Sequence, residues 1–105
     1  MKVKQSKQDK LTDNTVISLT EDHVFGDLGD EAVIMNTETG IYFGLDRVAR
    51  EIWQHLKQQM TYKQLKEMLL QDFDVDSDRC DLDLRSFLQQ LRDQKLVRFD
   101  YGNNN

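Results

Sequence analysis

Ala32-Val33-Ile34-Met35-Asn36-Thr37-Glu38-Thr39-Gly40-Ile41-Tyr42-Phe43-Gly44-Leu45-Asp46 is the stretch that decides the fold. Two apolar, β-favouring runs, Ala32 to Met35 and Ile41 to Leu45, flank a polar loop whose Gly40 can take the positive φ of a hairpin turn. The chain contains no proline, so both strands can offer an unbroken row of backbone donors and acceptors. Upstream, Thr15-Val16-Ile17-Ser18-Leu19 reads as a further strand, continued or restarted at His23-Val24-Phe25. Asp46 stands where an N-cap belongs, because its carboxylate can accept the free amides of a first helical turn.

Downstream of Asp46 the periodicity changes from two to 3.6. Val48, Ala49, Ile52, Trp53 and Leu56 form one apolar stripe. Thr61 and Gln64 make a T-x-x-Q capping box that opens a second helix, with Leu65, Met68, Leu69 and Phe73 on its buried side. Asp74 to Asp78 interrupt the pattern and supply caps for a third helix starting between Ser77 and Asp81, with Cys80, Leu84, Phe87, Leu88 and Leu91 inward. Leu82 falls outside that sector. Leu96-Val97-Arg98-Phe99 then forms a short final strand or an extended closing segment. The reading is α+β: an N-terminal three-stranded antiparallel sheet followed by three helices, resembling a winged helix-turn-helix whose wing comes first. Residues 1–13 are expected to be a flexible arm, 14–101 the domain, and 102–105 a disordered tail.

Composition narrows the function. The 105 residues suit one core. Fourteen Lys and Arg against nineteen Asp and Glu give a net charge of −5, and the bases are scattered, which disfavours nucleic acid. No apolar run approaches the roughly 20 residues of a bilayer span, and no signal-peptide core follows the basic start, so a cytoplasmic location is expected. Cys80 is the only cysteine, which leaves no disulfide and no metal-ligand cluster. His23 and His55 lie in polar sequence and read as solvated, and the Asp72 to Asp78 series lacks the glycine and glutamate of a calcium loop. No catalytic signature, metal site or cofactor motif appears, so the expectation is a binding protein and not an enzyme.

The order and spacing of several pieces resemble the pyrroloquinoline-quinone biosynthesis protein D family. They are Val33-Ile34-Met35-Asn36, Gly40 to Asp46, Ala49-x-x-Ile52-Trp53-x-x-Leu56, Thr61-Tyr62-x-x-Leu65-x-x-x-Leu69, Phe73-x-Val75, and Phe87-Leu88-x-x-Leu91 with Leu96-Val97 behind it. The resemblance covers roughly residues 15–99. It implies a recognition protein for ribosomally made, post-translationally modified peptides, most similar to the free-standing leader-binding component of lasso-peptide pathways. Its partners would be a precursor leader peptide and separate modifying enzymes, a leader peptidase and a cyclase. It also implies that the leader docks as an added strand on the last hairpin strand, in a cleft walled by the third helix.

The residues support such a site on their own terms. An exposed hairpin edge offers unpaired N–H and C=O groups to an extended guest, while side-chain pockets select the sequence. The expected peptide-binding residues are Ile41, Tyr42, Phe43, Gly44 and Leu45 on the strand and Asp81, Leu82, Leu84, Arg85 and Leu88 on the third helix. Leu84 and Leu88 would floor the groove, Asp81 and Arg85 would rim it, and Leu82 would add to its wall. Plain core burial competes for Phe43, Leu45, Leu84 and Leu88, and an i, i+4 ion pair competes for Asp81 and Arg85. Two rival functions remain at this point: a winged-helix DNA-binding transcriptional regulator, which the acidic third helix makes a poor reader, and an adaptor without leader specificity.

Overall fold

The computed structural model describes residues 11–101. The order is β1 (Val16–Leu19), β2 (His23–Asp27), β3 (Ala32–Asn36), β4 (Tyr42–Leu45), α1 (Arg47–His55), β5 (Met60–Thr61), α2 (Tyr62–Asp72), α3 (Ser77–Asp93) and β6 (Val97–Asp100). The strands form two antiparallel three-stranded sheets, β5-β1-β6 and β2-β3-β4. The β1 strand therefore leaves its sequence neighbours and is held on both sides by later segments, Val16 facing Thr61 and also Asp100. The β2-β3-β4 sheet is the wing.

The local devices follow from the residues. Asp46 caps α1 through Ala49 N–H at 2.9 Å, and Thr61 with Gln64 completes the reciprocal capping box of α2. Asp76 caps α3 through Arg79 N–H. The far end of α3 closes with Lys95 in the left-handed region (φ 61°). There Lys95 N–H reaches Arg92 O and Leu96 N–H reaches Leu91 O, the paired bonds of a Schellman turn.

One core joins both sheets and all three helices. Ile17, Ile34, Trp53, Leu56, Tyr62, Leu65, Leu84, Leu88, Leu91 and Leu96 are essentially without solvent contact. Leu11 belongs to this core at 2% exposure. Of the arm expected over residues 1–13, residues 1–10 lie outside the described residues, as does the tail 102–105, whereas Leu11 is anchored. The two histidines are not simply solvated. His23 packs edge-on against the Trp53 ring, 5.1 Å between centroids, and His55 approaches Asp72 at 3.3 Å.

Candidate functional site: an open strand edge beside a helix

The β4 strand has one neighbour among the described residues. Its register with β3 pairs Ala32 with Leu45, Val33 with Gly44, Ile34 with Phe43 and Met35 with Tyr42, and Asn36 N–H donates to Ile41 O at 3.0 Å. Hydrogen-bonded pairs alternate along an antiparallel ladder. Ile41, Phe43 and Leu45 therefore turn their backbone groups toward β3, and Tyr42 and Gly44 turn theirs to the outside. The open edge is thus two N–H and two C=O groups. The Tyr42 side chain is 68% exposed, and a Cβ built on Gly44 meets no atom within 4 Å.

Beside this edge stands α3. The Phe43 ring lies 6.0 Å from that of Phe87, tilted by 30°, so the two half-buried rings join strand to helix. Phe87 also enters a cavity of about 410 Å³ at the Asp46 end of β4, where α1, the segment after α2 and the start of α3 meet. Its walls are chiefly apolar, including Val48, Ile52, Leu69, Phe73 and Leu84, while Arg79 and Asp83 form an exposed ion pair at its lining, 3.1 Å apart. Cys80 lines the same space, and burial pushes its thiol up, away from the reactive thiolate. Among the described residues no group of three or more His, Cys, Asp and Glu is placed to hold a metal ion.

The residues expected at the site divide. Ile41, Tyr42 and Gly44 are exposed on the edge strand, Phe43 is half-buried against Phe87, and Leu45 is core at 2% exposure. Leu84 lines the cavity and Leu88 is wholly buried. Asp81 and Arg85 are elsewhere. They form their i, i+4 pair at 3.0 Å on the flank of α3 that meets α2: Lys66 stands 3.6 Å from Asp81, and the Tyr62 hydroxyl donates to the Asp81 carboxylate. The Arg85 guanidinium lies over the Tyr62 ring at 4.8 Å and donates to Leu11 O at 2.6 Å. The Tyr62 hydrogen bond, with help from Arg85, holds the Asp81 carboxyl below its usual range, and burial first and Asp81 second raise the Tyr62 phenol. This cluster anchors the start of the fold and does not rim the groove. Leu82 is 66% exposed, about 200° around the helix from Leu84, and belongs to neither flank. The residues of α3 that line the cavity beside β4 include Asp83 and Phe87.

One residue that holds the site together escaped the sequence reading. Asn36 is 1% exposed and its side chain makes three hydrogen bonds. Its Oδ1 accepts from Glu38 and Thr39 N–H, at 2.8 and 3.1 Å, which shapes the β3–β4 loop. Its Nδ2 donates to Gln94 O at 2.8 Å, at the C-terminal end of α3. One side chain thereby fixes the wing to the helix that faces its open edge. The Asn-Thr-Glu-Thr-Gly run signals the turn, but nothing local signals Gln94.

The chain is similar to known proteins in sequence and in fold. The family described as coenzyme PQQ synthesis protein D (PqqD) matches residues 31–97, from the start of β3 to the start of β6. No curated protein matches the sequence. Among solved structures the chain is similar to TbiB1 in complex with the TbiA(beta) leader peptide, at 28% identity and a TM-score of 0.70, covering 84% of this chain and 99% of that one.

Proposed function

The chain belongs to the coenzyme PQQ synthesis protein D (PqqD) family, and from that premise we propose that it binds the leader segment of a ribosomally made precursor peptide as a strand added to β4. It then delivers the precursor to separate modifying enzymes, a leader peptidase and a cyclase, in lasso-peptide or related biosynthesis in the cytoplasm. TbiB1, which the chain resembles over most of its length, is held with a leader peptide. The observation that carries the reading is the outward-facing backbone of Tyr42 and Gly44 next to the Phe43–Phe87 contact.

Magnitudes assign the roles. Four backbone hydrogen bonds at about 0.5–1.5 kcal/mol net each give about 2–6 kcal/mol. Ordering each guest residue costs about 1–2 kcal/mol, which offsets most of that gain. Pairing therefore sets position and direction. Affinity and selection come from apolar guest side chains entering the groove and the cavity beyond it, each worth about 1.5–3 kcal/mol when fully buried. The cavity beyond Phe87 is lined chiefly by apolar side chains, so an apolar guest fits there best.

Amide hydrogen exchange tests the reading. In the free protein the Phe43 and Leu45 amides should be protected by β3 and those of Tyr42 and Gly44 should exchange rapidly. Adding the precursor leader should protect Tyr42 and Gly44 selectively. Protection that appears only on another element would remove the assignment.

The DNA-binding alternative has no support. The α3 arginines are engaged, Arg79 by Asp83, Arg85 by Asp81 and Leu11 O, and Arg92 over the Phe99 ring at 5.0 Å. Among the described residues no helix is long and apolar enough to cross a membrane.

A further inference from the structure

The wing has a second face. Residues opposite one another in the ladder share a side of the sheet, so Val24, Met35 and Tyr42 form one row and Gly26, Val33 and Gly44 the next, both turned away from Ile34 and the core. Val24 is 54% exposed and Tyr42 68%, and Val33 and Met35 between them are partly exposed. The two glycines leave Val33 standing alone in a shallow apolar furrow. Charge is distributed around this face with one sign. From Leu11 to Asp46 the sequence contains no lysine and no arginine. Asp22 and Glu38 lie at one end of the sheet and Asp30 and Glu31 at the other. Arg50, from α1, pairs with Asp27 at 2.8 Å, whereas Asp22, Asp30, Glu31 and Glu38 have no ion-pair partner among the described residues.

We propose that this outer face docks a folded protein carrying an apolar patch rimmed by lysine and arginine, and that the partner is the enzyme acting on the bound leader. The inference rests on the leader-binding reading above. A strand added to β4 extends the same sheet, and its alternate side chains join the same outer face. A partner seated there touches the wing and the leader together. Complementary charge sets its approach and orientation, and the apolar row supplies the buried centre. The chain's own residues 1–10 are basic, with Lys2, Lys4, Lys7 and Lys10, but Met1 and Val3 are too few to cover four apolar side chains. Nucleic acid and anionic membranes are repelled by the same acids.

The experiment uses the full chain and the purified leader peptidase of the same pathway, with the precursor leader present. Val24→Thr with Met35→Thr removes apolar surface while keeping β-favouring residues. Asp30→Lys with Glu31→Lys reverses the rim at the turn far from the Tyr42 end. Each pair should weaken peptidase binding at least about tenfold, and the rim variant should also lose most of the salt dependence. Leader affinity, titrated separately, should stay within about twofold. Intact leader binding with peptidase affinity indifferent to both variants would overturn the proposal. So would the absence of any complex, or a wild-type chain of doubled mass that the Thr variants return to a monomer, which would assign the face to a second copy. Loss of leader binding by the wild-type chain would remove the underlying reading along with this one.

Discussion

Gly44→Pro isolates the open edge. The amide of Gly44 points away from β3, because the hydrogen-bonded pairs on that side are Phe43 with Ile34 and Leu45 with Ala32. Proline at this position removes no bond of the free protein, and an edge strand tolerates it where its N–H faced solvent. Phe43 before it is already extended, as the residue preceding proline prefers. In the complex the substitution deletes one donor and leaves a carbonyl of the docked guest unsatisfied, which costs about 1–3 kcal/mol. Leader affinity should then fall by about 5- to 150-fold. Gly44→Ala is the control. Its Cβ meets nothing within 4 Å and projects from the sheet face instead of its edge. Affinity should stay within about twofold, and stability should rise by about 0.4–1 kcal/mol through the restricted unfolded chain. Anisotropy titration of a labelled leader reads affinity, and circular dichroism with thermal melting reads the fold. Equal leader affinity for the two variants, both natively folded, would refute strand addition at β4. Unfolding of Gly44→Pro alone would show that the Gly44 amide is already used by the chain itself.

The remaining predictions concern the supports of the site. Asn36→Ala should cost about 2–4 kcal/mol in urea melts, since it removes three buried hydrogen bonds, and the surviving folded protein should bind leader more weakly because the wing is no longer tied to Gln94. Arg85→Met, which keeps an apolar stem over Tyr62 and deletes the bonds to Leu11 O and Asp81, should lower stability by about 1–3 kcal/mol and leave leader affinity unchanged, the opposite of what a groove-rim role requires. Lys95→Gly should raise the melting temperature, because Lys95 holds a left-handed backbone that costs a side-chain-bearing residue about 1 kcal/mol relative to glycine.

What the sequence shows and what it hides separate along a physical line. Devices that act within a few residues are legible: the Asp46 cap, the Thr61–Gln64 box, the Gly40 turn and the inward stripe of α3 each carry their own signature and stand as read. Relations between distant segments are not. Leu11 is one apolar residue among polar ones and has no periodicity to betray its burial. The stripe on α3 specifies which residues face the core but not which neighbour lies on either side of it. On a helical wheel Asp81 and Phe87 lie about 60° to either side of Leu84, and Arg85 and Asp83 about 100°, so the wheel alone cannot choose between the pair Asp81 and Arg85 and the pair Asp83 and Phe87. The tertiary contacts choose: Tyr62 and Lys66 take the first flank, and Phe43 takes the second. The openness of β4 has the same origin. A strand as apolar as β1 could have closed the wing, and local propensity does not forbid it. Its two edges are instead consumed by β5 and β6, segments about 45 and 80 residues later in the chain. Among the described residues, the opening beside Tyr42 and Gly44 is therefore a consequence of where the C-terminal strand returns, which is why the edge itself is written in the hairpin while its availability is written at Val97–Asp100.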